Sequence, residues 1–269
     1  MKLLKILTSQ STSLLSFVFL SGCVSVPGTD RKAFNIIPRA QEKQMGDDAY
    51  KEILSKEKVS RDQRLNAILQ RVGKRISAVV PVTDFDWQFT LIESADKNAF
   101  CLPGGKVAFY TGIVPSLESE AGMAIVMGHE IAHAVARHGV ERVSQAMVLQ
   151  FGLAAVDVGV MQDSRYKGAV MAGLGLGAQF GVLLPFSRAN ESEADTLGIK
   201  YAAAAGYDPS EGPAFWQRFS KATGGGGKPP EFLSTHPSDN TRIQNLNSLL
   251  AEANVLYEQS PKYGLGEKF

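Results

Sequence analysis

Apolar positions recur at helical spacing through residues 39–57 (RAQEKQMGDDAYKEILSKE) and again through 60–80 (SRDQRLNAILQRVGKRISAVV), which predicts two amphipathic helices, the second closed by Pro81. In DFDWQFTLIES the period shortens to two. Phe85, Trp87, Phe89 and Leu91 alternate with polar residues, as in a half-buried strand. KVAFYTGIV, residues 106–114, is a second strand candidate, entered through Pro103-Gly104-Gly105. Helical periodicity then dominates. Residues 117–151 form one long stretch with a break expected near Gly139. EGPAFWQRFSKA and TRIQNLNSLLAEANVL predict two further helices, separated by GGGGKPP and a turn at STHPSDN. The pattern predicts an α+β fold, mainly helical, with a small sheet and no internal repeat.

Two stretches break the amphipathic pattern. Residues 168–187 carry no charge, and five of the positions are glycine. That length invites a membrane-spanning reading, but the glycines and Gln179 favour a buried or membrane-facing helix-loop beside the rest of the fold. The N-terminus, MKLLKILTSQSTSLLSFVFLSGC, has two lysines, an uncharged centre rich in Leu, Phe, Val and Ser, and small residues at its end, the layout of a secretory signal peptide. Leu20-Ser21-Gly22-Cys23 resembles a lipobox, so Cys23 is expected to be lipidated. Val24, where an aspartate would retain the protein at the inner membrane, points to export to the periplasmic side of the outer membrane. An ordinary signal peptide, or an uncleaved anchor with an incidental Cys23, is the alternative. The expected organisation is a signal peptide over 1–22, a lipidated cysteine and tether over 23–38, and one domain over 39–269.

Composition narrows the function classes. Lys plus Arg is 28 and Asp plus Glu is 27, with no basic cluster interleaved with aromatic residues, so no nucleic-acid partner is expected. Loss of residues 1–22 would remove Lys2 and Lys5 and no acid, leaving 26 basic against 27 acidic side chains. Only Cys101 would then remain as a free thiol. Its place between Phe100 and Leu102, with no base at a useful spacing, makes it a small hydrophobe rather than a nucleophile.

Three of the four histidines fall within GHEIAHAVARHG, residues 128–139. His129 and His133 are four apart on a predicted helix and share one face, so both imidazoles can reach one ion. Glu130 places a carboxylate beside that ion without ligating it, where it can take a proton from a polarised water. Such a pattern also arises by chance, and two histidines alone hold zinc poorly. A histidine six positions after His133 would complete one known ligand set, but that position is Gly139. His138, five positions on, rotates off the shared face of a continuous helix and reads as a packing or hydrogen-bonding residue. SRANESEADTLG, residues 187–198, offers Glu191, Glu193 and Asp195. Glu191 and Asp195 lie one turn apart on one face, so the first can ligate while the second fixes a zinc histidine through its other nitrogen.

HEIAH with SRANESEAD and Gly198 resembles peptidase family M48, and NAFCLPGGKVAFYTGIV and FLSTHPSDNTR resemble further segments of that family. The similarity runs from about residue 40 to about 250. It implies a gluzincin-type fold with a small sheet beside the HExxH helix and one Zn2+ per chain. His129, His133 and Glu191 would be its ligands, Glu130 the general base and Asp195 the partner of His129, with Arg188 holding the ligand carboxylate or a neighbour. His236 in the THP element would act as a zinc switch or as an oxyanion donor, or else merely cap the following helix. The chain lacks the tetratricopeptide extension of some members, so docking through such repeats is not expected. The implied activity is a zinc endopeptidase of the bacterial envelope acting on misfolded or misassembled proteins. The alternatives are a zinc-binding chaperone or assembly factor with little proteolysis, and an integral-membrane protease using residues 168–187 as a span. An exposed KVAFYTGIV edge would offer substrates a strand to pair with, and Asn98 either fixes the peptide or serves a turn.

Overall fold

The computed structural model describes residues 23–156, 186–223, 231–236, 240–265 and 268–269. The leader over 1–22, most of the uncharged 168–187 stretch and the GGGGKPP loop lie outside the described residues. Within them, no helix is long and apolar enough to cross a membrane.

The fold begins with a hairpin. β1 (Cys23–Ser25) pairs antiparallel with β2 (Lys32–Phe34), Cys23 opposite Phe34, across a turn through Gly28 at φ 81°. The tether expected over 23–38 is therefore part of the folded body. Val26, Ala33 and Ile37 are buried, and Arg31 pairs with Glu141 and Glu193, each at 2.8 Å. Proline and glycine content suggested a linker, but three well-placed apolar side chains and one bidentate arginine dock it.

α1 (Arg39–Lys56) and α2 (Gln63–Ser77) lie where the periodicity places them. Asp62 starts α2 by accepting a hydrogen bond from the Leu65 amide at 2.9 Å. The sheet follows: β3 (Gln88–Ile92), β4 (Ala99–Leu102) and β5 (Lys106–Tyr110), in the order β3-β5-β4. β5 runs parallel to β3 and antiparallel to β4, and its five residues are all buried. Side-chain alternation divides the packing. Phe89, Leu91, Val107 and Phe109 join the main core with α2, while Ile92, Phe100, Ala108 and Tyr110 pack with Ala49 and Tyr50 of α1. A strand covered on both faces needs no polar alternation, which explains the continuous VAFY run. KVAFYTGIV is thus the centre of the sheet, and the exposed-edge role considered for it does not hold. The extra edge strand, β4, is only four residues long and its apolar side chains lie on both faces, so it gave no period-two signal.

A single 3-10 turn (Thr111–Ile113) and the short α3 (Val114–Leu117) lead into α4 (Glu120–Val135), every residue of which is buried. Ser119 caps α4 through the Gly122 amide. The chain then breaks at Ala136-Arg137, two residues before the expected Gly139. Arg137 has φ 59°, the left-handed region. Its cost of roughly 1–2 kcal/mol for a non-glycine residue is offset by buried contacts to Glu42 at 2.7 Å and the Ile37 carbonyl at 3.0 Å. α5 (His138–Val156) starts after this break.

α6 (Arg188–Ala204) crosses α4, capped by Ser187, which accepts from the Asn190 amide at 3.1 Å. A Cβ on Gly128 would lie 2.5 Å from the Gly198 carbonyl oxygen, and one on Gly198 2.7 Å from the His129 nitrogen. Only glycine at both positions lets the two backbones approach this closely. α7 (Glu211–Thr223), the one-turn α8 (Glu231–Thr235) and α9 (Asn240–Gln259) close the other side, with α9 packed on α6 and α7.

Candidate metal centre

The α4–α6 crossing assembles the site. α4 supplies His129, Glu130 and His133; α6 supplies Glu191 and Asp195; the turn after α8 supplies His236. His129, His133, Glu191 and His236 are all buried and offer ligand atoms within 4.8 Å of one another. The His129 Nε2 lies 3.1 Å from His133 Nε2 and 3.2 Å from His236 Nδ1. Two nitrogens each about 2.0–2.1 Å from a tetrahedral zinc lie roughly 3.3 Å apart, so these spacings suit a shared cation. A donor set of imidazoles and one carboxylate suits zinc rather than calcium or magnesium, which prefer all-oxygen shells. The residues present therefore fit the metal.

Electrostatics around the cluster are set by burial and one arginine. Burial opposes ionisation of Glu191, yet the charges of His236 and Arg242 and hydrogen bonds from His129 and His133 hold its carboxyl well below the usual range. Burial pushes the Glu130 carboxyl up to about 7, and its Oε1 has no hydrogen-bond partner. Burial holds His133 well below the ordinary imidazole range, so it stays neutral, as a metal ligand must.

Arg242, on α9, is the residue the sequence reading missed. Its Nη1 lies 2.8 Å from Glu191 Oε2, and its Nε and Nη2 donate to both oxygens of Asp195 at 2.8 and 2.7 Å. Its guanidinium stacks on Trp216, 3.6 Å from the ring centroid. Arg188, expected to hold the carboxylate, is exposed at the start of α6. It occupies the helix's outer face, and the buried guanidinium comes from the THPSDNTR segment instead.

Outer contacts orient both α4 histidines. Asp195 Oδ1 lies 2.9 Å from His129 Nδ1. His138 is no ligand, but it is more than packing: its Nδ1 lies 2.9 Å from His133 Nδ1, and its Nε2 lies 2.7 Å from Glu193 Oε2. His133 Nε2 faces the cluster, so a metal bound there would leave its Nδ1–H to donate to His138, whose Nε2–H donates to Glu193. On a continuous helix His138 would face away from His133. The break at Arg137 swings it back. Asn98 is buried and accepts from the Ala99 amide through its own side chain at 2.9 Å, a local turn role. Cys101 is half-buried, with its thiol raised well above the ordinary value by burial and by the nearby Glu130 charge, which suits an inert side chain.

Residues 60–250 match peptidase family M48. Mitochondrial metalloendopeptidase OMA1 of Schizosaccharomyces pombe is 38% identical over 244 residues, which cover 88% of this chain and 69% of that protein. The beta-barrel assembly-enhancing protease of Yersinia pestis is 32% identical over 213 residues, 76% of this chain and 43% of that protein. Its counterpart in Escherichia coli (strain K12) is 26% identical over 246 residues, 90% of this chain and 50% of that protein.

Arg242→Met should leave Glu191 and Asp195 buried without their guanidinium, costing the metal-free protein about 3–5 kcal/mol. Zinc should recover part of this by sharing the Glu191 charge. Thermal unfolding with zinc and with chelator checks it; equal losses in both states would count against the shared-charge account.

Proposed function

The chain belongs to peptidase family M48, and from that membership we propose that it is a zinc-dependent endopeptidase of the bacterial envelope, acting on misfolded or misassembled proteins. The observation that carries the reading is the convergence of His129, His133 and Glu191, with the buried Glu130 next in the helix and its Oε1 without a hydrogen bond. In this reading the three converging side chains hold the ion. Zinc supplies Lewis acidity, polarising the scissile carbonyl and making water easier to deprotonate. Glu130 takes the proton of the attacking water at its free Oε1 and returns it to the leaving amine, and a carboxyl poised near 7 suits both transfers. Asp195 and His138 fix the orientation of His129 and His133.

An extended substrate has a strand to pair with in β4. The Tyr110 amide donates to the Asn98 carbonyl at 3.0 Å, so in this register the main-chain groups of Ala99 and Cys101 point away from β5. β4 also packs against α4. Pairing through the backbone tolerates many sequences, as clearance of misfolded chains requires.

The envelope location rests on the leader, on Cys23 as the lipid-bearing residue with Val24 after it, and on the bacterial relatives named as assembly-enhancing proteases. With lipid on Cys23, the membrane is a partner. Replacing Cys23 with Ala behind a conventional signal peptide should release the protein from the membrane fraction into the soluble periplasm. Continued membrane integration would instead support a span.

His236 closes the ligand set. Its Nδ1 is 3.0 Å from Glu191 Oε1 and its Nε2 is 3.5 Å from Glu130 Oε1. Four protein ligands are the mark of a structural or latent site, since a working one keeps a position for water. This favours the switch role over oxyanion donation, and it is also what supports the second reading, a zinc-binding assembly factor with little proteolysis. His236→Ala should raise casein cleavage severalfold; a fall would make it an oxyanion donor. Glu130→Gln should keep one zinc per chain and lose cleavage of casein by at least about 100-fold. Unchanged proteolysis in that variant would sink the mechanism, and a zinc-loaded wild type that cleaves nothing would favour the assembly factor.

A further inference from the structure

Arg31 directly precedes β2, outside every element that supplies a residue of the cluster, yet its guanidinium reaches three helices around it. Nη2 lies 3.4 Å from the carbonyl of Ala136, the C-terminal cap of α4. Nη1 donates to both oxygens of Glu141 on α5, at 3.1 and 2.8 Å, and Nε lies 2.8 Å from Glu193 Oε2 on α6. That same Glu193 oxygen is 2.7 Å from His138 Nε2, and His138 Nδ1 is 2.9 Å from His133 Nδ1. A line of polar contacts thus runs from the amino-terminal hairpin to a residue of the metal cluster.

Glu193 depends on the last of these contacts. Its side chain is only 13% exposed, so a carboxylate with no opposite charge beside it would turn toward water. A neutral imidazole N–H is weak compensation for that charge. Arg31 supplies the cation against the shared oxygen and keeps it facing His138. With its Nε2–H given to Glu193, His138 has Nδ1 free to accept, so the Nδ1 of His133 must be the donor. That tautomer leaves the lone pair of His133 Nε2 facing the cluster. Glu141 does a different job: it takes Arg31 and, at 3.4 Å, the Phe34 amide, which docks the hairpin on α5. The Ile36 amide adds a second docking contact, to Ser144 Oγ at 3.2 Å, that does not involve Arg31.

We propose that Arg31 is a positioning residue for the metal: through Glu193 and His138 it holds His133 in its ligating orientation, and so couples the amino-terminal hairpin to metal binding. Such coupling is reciprocal. The factor by which a docked hairpin raises metal affinity is the factor by which bound metal favours docking. The inference rests on the reading of the cluster as a zinc site.

The test measures zinc affinity by chelator competition on the full chain and on Arg31→Ala, Arg31→Lys, Glu193→Ala and Glu141→Ala, with circular dichroism to show that each is folded. The visible spectrum of the cobalt-loaded proteins reports ligand geometry, and amide hydrogen exchange over residues 26–36 reports hairpin docking with zinc and with chelator. Arg31→Ala and Glu193→Ala should each weaken zinc binding by roughly 10–100-fold and shift the cobalt spectrum, with Arg31→Lys recovering part of the loss. Glu141→Ala, which keeps the Arg31–Glu193 pair and the Ile36–Ser144 contact, should leave affinity and spectrum unchanged. Zinc should slow exchange in the wild-type hairpin, and less so in Arg31→Ala. Equal losses of affinity in Glu141→Ala and Glu193→Ala would make Arg31 a hairpin anchor only. That result, or unchanged affinity in Arg31→Ala, or hairpin exchange indifferent to zinc in wild type, overturns the positioning role while leaving the zinc site intact. A wild type that binds no zinc overturns the metal reading, and the positioning role with it.

Discussion

The contact on which the rest of the site depends is the backbone approach of α4 and α6. Gly128 and Gly198 meet with no side chain between them, and a methyl at either would fall within 2.8 Å of the opposite main chain. His129 is the next residue along α4, and Glu191 and Asp195 lie two turns and one turn before Gly198 on α6. The ligand-bearing faces are therefore brought together by a constraint outside the ligands themselves. Separating the helices by the width of one methyl would lengthen every contact across the seam, from the 2.9 Å pair of His129 and Asp195 to the 3.2 Å contact of His133 with Glu191. Ligand spacing is thus a backbone property first and a side-chain property second.

That closeness has an electrostatic consequence. Two carboxylates, Glu191 and Asp195, are removed from water within one turn of each other, and neither could remain ionised alone. Arg242 answers both, braced from behind by Trp216, so the seam carries its own counter-charge. One guanidinium against two carboxylates leaves a net negative charge, which a divalent cation held there would offset. Glu130 stands outside this pairing. Burial outweighs the partial relief from the His236 and Arg242 charges, and that balance moves its carboxyl up into the range useful for proton transfer.

Much of this could be read from the sequence, and the misses share a cause. The 3.6-residue period located α1, α2, α7 and α9, and the i,i+4 rule brought His129 to His133 and Glu191 to Asp195, because both rules are local. β4 escaped because four residues packed on both faces carry no alternation. The hairpin over 23–34 escaped because its two strands have three residues each, and its stability comes from Arg31 reaching Glu141 and Glu193 far along the chain. Arg188 and Arg242 are equally arginine in the sequence, and only the tertiary fold decides which one is turned inward. The resemblance at FLSTHPSDNTR held Arg242 in plain view, but spacing along the chain gave it no link to Glu191.

His138 shows how such a long-range decision is made. On a continuous helix it would face away from His133, and the break expected near Gly139 falls two residues earlier, ahead of His138. The break comes from Arg137, held in the left-handed region by Glu42 and the Ile37 carbonyl, both of which belong to the N-terminal part of the fold. One strained residue thereby ends α4, starts α5 and returns His138 to His133. Arg31 of the hairpin then grips Glu141 on α5 and Glu193 on α6, tying the two helices together. The segment that composition marks as a tether is what holds the second half of the HEIAHAVARHG stretch in place. Its attachment to the fold therefore belongs to the metal site as much as the helix crossing does.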